Sequence, residues 1–303
     1  MNNIAIVGGT GLIGSHLVKR LNNGKNQLHI LTRGKSKKVS ENIYLENYDY
    51  ESNNWPVHIL TKCETVINLA GKSLGDKRLT PDNKKEVSNS RVELTKSLVT
   101  FLNNSDNICN TLINGSAVGY YGYDRSDEPL DEDADPGMGF MAKLCIDWER
   151  EADKLEDRRL IKLRTGIVLD KEEGAFPKLK APILLGVGSA LASGKQFMPW
   201  IHINDMIAII EYCITNENIK GVVNAVAPNP VRNKRMIGAI ADSLNKAILL
   251  PKVPSFALKL ILGEFANAII GGLKVVPKKL TDNNFIWEFY DIDAAVKRIN
   301  WNK

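Results

Sequence analysis

Short apolar runs alternating with segments of helical period mark the first half of the chain. "NIAIV" (3–7) is β-branched, ends in glycine and reads as a buried strand. Leu12, Ile13, Leu17 and Leu21 then recur at helical spacing. "QLHILT" (27–32) is a second strand, "NIYLENY" (42–48) a weaker third and "TVINLA" (65–70) a fourth. Thr80-Pro81 carries the cap and first-turn chemistry of a helix start, and that helix is expected to run to Leu102. "TLINGSA" (111–117) is the fifth strand, a helix covers Phe140 to Leu155, and "IKLRTGIVL" (161–169) is the sixth strand. Strands alternating with helices predict an α/β fold: a Rossmann-type, doubly wound parallel sheet.

Beyond about residue 170 the alternation decays into Pro, Gly and short apolar runs. This predicts a small, discontinuous substrate-side region. The expected division is a cofactor domain over 1–247, with a substrate-side insert near 170–200, and a small, mainly helical domain over 248–303. The longest apolar segment, "FALKLILGEFANAIIGGL" (256–273), contains Lys259 and Glu264 and reads as an amphipathic helix, not a membrane span.

Composition narrows the classes. The 303 residues are 44% hydrophobic and 25% charged, as in ordinary globular proteins. A net charge of +5 with scattered bases does not call for nucleic acid. The expected partner is a small-molecule substrate, with no nucleic acid and no membrane; the oligomeric state stays open, a homodimer among the options. Cys63, Cys109, Cys145 and Cys213 form no C-x-x-C and read as reduced, buried thiols. His16, His29, His58 and His202 show no metal spacing, so no metal is expected. The N-terminus enters a strand directly, so no signal peptide is expected and the cytoplasm is the expected location.

The candidate chemistry begins at "VGGTGLIG", where Gly8, Gly11 and Gly14 follow a strand and open a helix. Such a turn lets backbone approach a pyrophosphate, which the free N–H groups of the helix start then hold. An NAD site usually places Asp or Glu at the end of the second strand. Here Thr32 and Arg33 stand there, followed by Lys35, Lys37 and Lys38 in what reads as a solvated loop. A guanidinium can bind an adenosine 2′-phosphate that an acid would repel, so NADP(H) is expected over NAD(H). On the 81–102 helix, Arg91 interrupts the stripe Val87, Leu94, Leu98, Leu102. A buried guanidinium needs an anion, supplied either by a nearby carboxylate or by a ligand.

The segments "GGTGLIG", "VINLAGKSL", "SRVELTKSLV", "SAVGYYG", "LRTGIVL", "SGKQFMPWIHINDM", "NAVAPNPV" and "LGEFANAIIGGLKVVPKKL" span nearly the whole chain. In them the chain resembles the extended short-chain dehydrogenase/reductase superfamily. More narrowly, it is similar to the nucleoside-diphosphate-sugar epimerase-like (NAD-dependent epimerase/dehydratase-like) family that carries an extra C-terminal domain. The resemblance implies an NADP-binding fold. Its cofactor set would comprise Gly8, Thr10, Gly11, Leu12, Ile13 and Gly14 of the turn, with Thr32 and Arg33 at the adenosine phosphate. Leu69 and Ala70 would run along the cofactor, Glu86 and Arg91 would contact it, and Val168 would line the nicotinamide side. Residues 248–296 would correspond to the extra domain.

Members of the superfamily usually exchange a proton through Tyr-x-x-x-Lys, and this chain has none. The corresponding helix reads "GFMAKLCIDWE". Ser116 is the surviving member of the constellation; Tyr121, or the adjacent Tyr120, is a candidate proton donor and Lys143 a candidate cation. In "FMPWIHIND", Asn204 or Asp205 reads as a helix cap and His202 as structural. The loop "DRSDEPLDEDAD" (124–135), with seven carboxylates, reads as a solvated flap. Two functions follow: an NADP(H)-dependent oxidoreductase or epimerase-like enzyme with an atypical active site, which is favoured, and a non-catalytic NADP(H)-binding sensor or scaffold.

Overall fold

The apolar runs are too short for helices and are flanked by turn residues, so they pair as strands. A computed structural model gives the fold and describes residues 2–75, 77–125 and 127–301. Strands β1 (Asn2–Val7), β2 (Asn26–Thr32), β3 (Lys37–Ser40), β4 (Ile43–Asn47), β5 (Thr65–Asn68), β6 (Thr111–Ala117), β7 (Arg159–Thr165) and β8 (Gly221–Ala225) form one sheet. Its order is β8-β7-β6-β5-β1-β2-β4-β3. Every pairing is parallel except that of β3 with β4. The chain runs outward from β1 to β4, then returns to β5 on the other side of β1, so the strand order reverses between β1 and β5. That reversal is where such sheets open a crevice at their carboxyl ends.

Alternation along β1 sends its side chains to two cores. Ile4 and Ile6 pack with Leu17 and Leu21 of helix α1 (Leu12–Leu21). Ala5 and Val7 face the other way, into the cluster that holds Leu94, Leu98 and Leu102. Both faces are covered, which is why the parallel strands read as near-continuous apolar runs.

The long helix expected over 81–102 is two helices, α2 (Pro81–Asn89) and α3 (Val92–Asn104). Thr80 caps the first through Asn83 N, as its sequence position implied. The break falls at Ser90 and Arg91: Ser90 Oγ donates to Val87 O at 2.8 Å and accepts from Lys72 N at 3.0 Å. A hydroxyl engaged with backbone in this way competes with helix propagation. The Lys-rich stretch is also not all loop, since Lys37 and Lys38 lie in β3. Asn47 folds that hairpin back, donating through Nδ2 to Gly34 O and through its N–H to Ser36 Oγ, each at 2.8 Å.

The sixth strand is interrupted at Gly166, where a Cβ would lie 2.7 Å from Pro199 O. The remainder, Ile167–Leu169, leaves the main sheet and pairs with Trp200–His202. Helix α4 (Phe140–Ala152) lies between β6 and β7 in the chain. The substrate-side elements α5 (Ala175–Leu184) and α7 (Asn233–Ser243) share a core with the C-terminal helix α9 (Ile292–Trp301) around Phe176, Met236, Ile240 and Val296. Helix α6 (Ile203–Thr215) packs beside α1. The apolar segment 256–273 is not one helix: α8 (Ser255–Leu262) ends at Gly263, which has φ +61°, and a short helix follows over Ala266–Ile270. Arg78 clasps the end of α8 by donating to the carbonyls of Leu260 and Ile261.

The glycine at position 14 carries a packing demand of its own, because a Cβ there would lie 2.2 Å from Gly8 O. Gly14→Ala is expected to cost about 2–3 kcal/mol in denaturant unfolding. Gly238→Ala, inside α7 with nothing within 4 Å of the added methyl, is expected to gain about 0.5–1 kcal/mol.

Candidate functional site

The crevice is built first by backbone. Gly8 has φ +80°, and a Cβ there would lie 2.8 Å from Ala70 N, so the turn after β1 touches the chain leaving β5. Gly11 N donates to Gly8 O at 3.1 Å and closes the turn. Gly11 caps α1 with no side-chain hydrogen bond, which leaves first-turn N–H groups directed out of the helix. Helix polarity adds partial positive charge there.

A cavity of about 770 Å³ opens from this turn. It brings together Gly8, Thr10, Gly11, Thr32, Arg33, Leu69, Ala70 and Glu86, all expected from the sequence. Its wall also carries Tyr48, Tyr50, Glu51, Lys72 and Ser90, which the sequence reading did not single out. The signal for the two tyrosines is "ENYDY", which spans the end of β4 and the turn after it, since residues ending a parallel strand at this edge face the crevice. Thr32 Oγ1 accepts from Gly34 N at 3.1 Å and shapes the turn that presents the exposed Arg33. Burial raises the phenol pKa of Tyr48 and Tyr50, and the positive charge of Arg33 opposes that rise in both. Glu86 is paired with Lys72, and Glu51 accepts from the Tyr50 hydroxyl at 3.3 Å.

A smaller cavity of about 130 Å³ shares Leu69 with the first and is lined by Ile13, Leu74, Arg91, Ser116, Cys145, Trp148 and Thr165 among others. Arg91 stands at the break between α2 and α3, with its guanidinium against Gly71 and 5.4 Å from the Trp148 ring. Its Nη1 donates to Val87 O and Ser90 Oγ, both at 3.3 Å. No carboxylate among the described residues pairs with it, and burial pulls its pKa down to about 10. Of the two anions expected for Arg91, the protein's own carboxylate is therefore not found. Leu12, Gly14 and Val168 line neither cavity. Gly14 packs α1 on the turn, and Gly174 lies between Leu12 and the Val168 carbonyl.

Beneath Ser116 lies a charged network. Ser116 Oγ donates to Glu149 Oε1 at 2.6 Å. Arg164 grips the same carboxylate with Nε to Oε1 at 2.8 Å and Nη2 to Oε2 at 3.0 Å. All three are buried. Burial opposes the charge on Arg164, but the hydrogen bonds and charge of Glu149 outweigh it and hold the guanidinium above its usual range. Arg164 Nη1 also donates to the Tyr121 hydroxyl at 2.9 Å, and its Cζ lies 3.4 Å from the centre of the Tyr120 ring.

Two candidates from the sequence do not meet Ser116 at the cavity. Tyr121 is fully buried; its hydroxyl reaches Asn224 Oδ1 and Asp131 O, each at 2.8 Å, and burial pushes its pKa up to about 12. That phenol is consumed by structure, not presented to the crevice. Lys143 sits on the outer face of α4 and pairs with Asp147 at 3.0 Å. The four cysteines are buried and free; burial pushes Cys63, Cys145 and Cys213 up to about 12, so they remain protonated thiols at neutral pH.

The cap of α6 also differs from expectation. His202, not Asn204 or Asp205, is the cap: its Nδ1 accepts from Asn204 N at 3.0 Å. Asp205 instead accepts from Glu288 N and Phe289 N and ties α6 to the C-terminal region. Within the acidic loop, Ser126 lies outside the described residues, while Glu132 is buried and accepts from Asn224 N and Lys279 N.

A doubly wound sheet with a glycine turn at its reversal defines a Rossmann-type protein. The chain belongs to the NAD dependent epimerase/dehydratase family, whose model matches residues 4–225; a domain of unknown function (DUF1731) matches residues 253–299. It is 34% identical to the Arabidopsis thaliana chloroplastic homolog of epimerase family protein SDR39U1, over 98% of this chain and 86% of that one. It is 32% identical to an epimerase family protein of Staphylococcus aureus, over 98% of each. Its fold is similar to the crystal structure of human epimerase family protein SDR39U1 with NADPH: TM-score 0.88, 27% identity, 99% of this chain and 100% of that one.

Glu149→Gln is expected to cost about 3–5 kcal/mol in denaturant unfolding, because it leaves the buried Arg164 without a counter-charge. Replacing both residues with apolar ones should cost much less than that single change. Burial lowers His202 to about 4. Its unfolded imidazole takes a proton near 6.5, so this contribution is full above about pH 6.5 and drains as pH falls toward 4. Asp205, raised to about 6 by burial, works in the opposite sense, losing stability as pH rises toward 6. His202→Asn keeps an acceptor at the cap and removes the imidazole titration. Relative to the parent it should gain about 2–3 kcal/mol between pH 7.5 and 4.5, read from unfolding at both values.

Proposed function

We propose that the chain is an NADP(H)-dependent oxidoreductase or epimerase-like enzyme of the short-chain dehydrogenase/reductase type. Its substrate is a small carbonyl, hydroxyl or sugar-type compound. The observation that carries this reading is Arg33, exposed on the wall of the larger cavity where an NAD site would carry an acid. The crystal structure of the human relative with NADPH is consistent with it. The open first turn of α1 suits a pyrophosphate, and the side-chain-free approach of Gly8 to Ala70 leaves room for it. The dinucleotide would supply or accept hydride. Arg33 and Thr32 hold the adenosine end. Arg91, whose charge no described carboxylate answers, meets the anionic or polar edge of what enters the smaller cavity. Ser116 offers oxygen lone pairs there, its proton being committed to Glu149.

Residues 1–247 would serve as the cofactor unit, with a substrate-side insert near 170–200, and 248–303 would form a small, mainly helical domain. The cytoplasm is the proposed location.

A second reading, a non-catalytic NADP(H)-binding sensor or scaffold, is favoured by one observation: neither the Tyr121 phenol nor the Lys143 amine reaches the cavity that holds Ser116. Calorimetry tests the shared part. Arg33→Ala should weaken NADPH binding by about 1.5–3 kcal/mol, the scale of a hydrogen bond to a charged group, and leave NADH nearly unchanged. Equal losses for both dinucleotides would refute the role of Arg33. A panel of carbonyl and sugar substrates, followed at the nicotinamide absorbance, separates the two readings. Consumption that Ser116→Ala abolishes supports the enzyme, and tight binding without consumption supports the sensor.

A further inference from the structure

Two stretches far apart in sequence are stitched into one surface. Ser189 Oγ donates to Pro251 O at 2.6 Å, Ala192 N to Val253 O at 2.8 Å and Val253 N to Ala190 O at 2.9 Å. Leu185, Val187 and Leu249 near this seam, and Phe256, Leu260 and Ile261 on helix α8 that follows it, are each more than half exposed. Helix α8 buries only Leu258, and Phe256 and Leu260 stand one turn apart on its outward side. An apolar concentration of this kind on a folded surface marks a contact.

The charges around it identify the contact. The chain has 35 Asp and Glu residues, yet none falls in 174–204 or in 243–263. The same two stretches expose Lys195, Lys246, Lys252 and Lys259. Protein interfaces are enriched in Tyr, Trp and Arg and depleted of Lys. Leu, Ile and Phe framed by Lys, with the nearest acids in sequence, Asp242 and Glu264, at the ends of the second stretch and Glu264 already paired with Lys84, are the composition of a helix lying in a bilayer interface. Anionic headgroups complement the lysines. We infer that this surface docks the protein on a bilayer rich in anionic lipid, with α8 lying among the headgroups. The contact is peripheral, since no helix among the described residues is long and apolar enough to cross a membrane. This surface, assembled from two stretches distant in sequence, stands against the expectation of no membrane contact.

The test uses the full chain and vesicles of phosphatidylcholine, alone or mixed with phosphatidylglycerol, separated by sedimentation. Binding to the mixed vesicles that weakens as salt rises is expected. The triple variant Leu249→Glu, Phe256→Glu, Leu260→Glu should lose at least about tenfold in partition. Each of Lys246→Gln, Lys252→Gln and Lys259→Gln should lose roughly fivefold. All are solvent-facing substitutions, and unchanged melting temperatures and NADPH binding would confirm that the fold is intact. Absence of parent binding to the mixed vesicles overturns the inference, as does equal binding to neutral ones. A stable dimer in velocity sedimentation that Phe256→Glu dissociates also overturns it, in favour of a second copy of this chain.

Discussion

The crevice depends on one contact between two stretches of bare backbone. Gly8 approaches Ala70 so closely that a single methyl at Gly8 would collide, and Gly14 brings α1 against the same turn. Because the contact joins the carboxyl ends of β1 and β5, it fixes the reversal point of the sheet and the direction of α1 together. The larger cavity, Arg33 and the start of the helix take their relative positions from it.

The buried pair Arg164–Glu149 plays the corresponding part for the smaller cavity. It bolts α4 to β7 and collects Ser116 on one side and Tyr121 on the other. On this helix, where the resemblance would imply a tyrosine and a lysine, the chain turns the Glu149 carboxylate inward beneath the serine. Removing water from two charges is expensive, and the pair is tolerated because every oxygen of Glu149 has a donor. The serine is left acceptor-like toward the cavity, a chemical bias that a lone hydroxyl with a free rotor would lack.

The main parallel strands and the glycine turn were legible because their signals are local: short apolar runs, periodicity and turn chemistry. Residues 111–117 needed nothing beyond their own composition. What stayed hidden depends on partners distant in sequence. The break at Arg91 arises from Ser90 meeting the Lys72 amide, and Glu149 finds Ser116 across 33 positions. Thr32 and Arg33 could be placed at the crevice because a strand end carries its own address. The roles of Tyr121 and Lys143 could not, because burial and helix phase decide whether a phenol or an amine faces the crevice. The capping role of His202 is not legible in sequence because its burial, which keeps the imidazole neutral, is a property of the packed molecule.

The sheet has two borders, and they are finished differently. At β8 the short helix Lys278–Asp282 packs alongside, with Leu280 inserted into the core. At β3 the rungs are bare and every residue is exposed. A foreign strand adding there would have to set its own side chains beside Lys37 and Lys38 on a short, irregular ribbon whose register shifts after Lys38. Such a border resists templated growth into stacked assemblies. The lysines beside the proposed nucleotide crevice thus also protect the protein from aggregating along its open side.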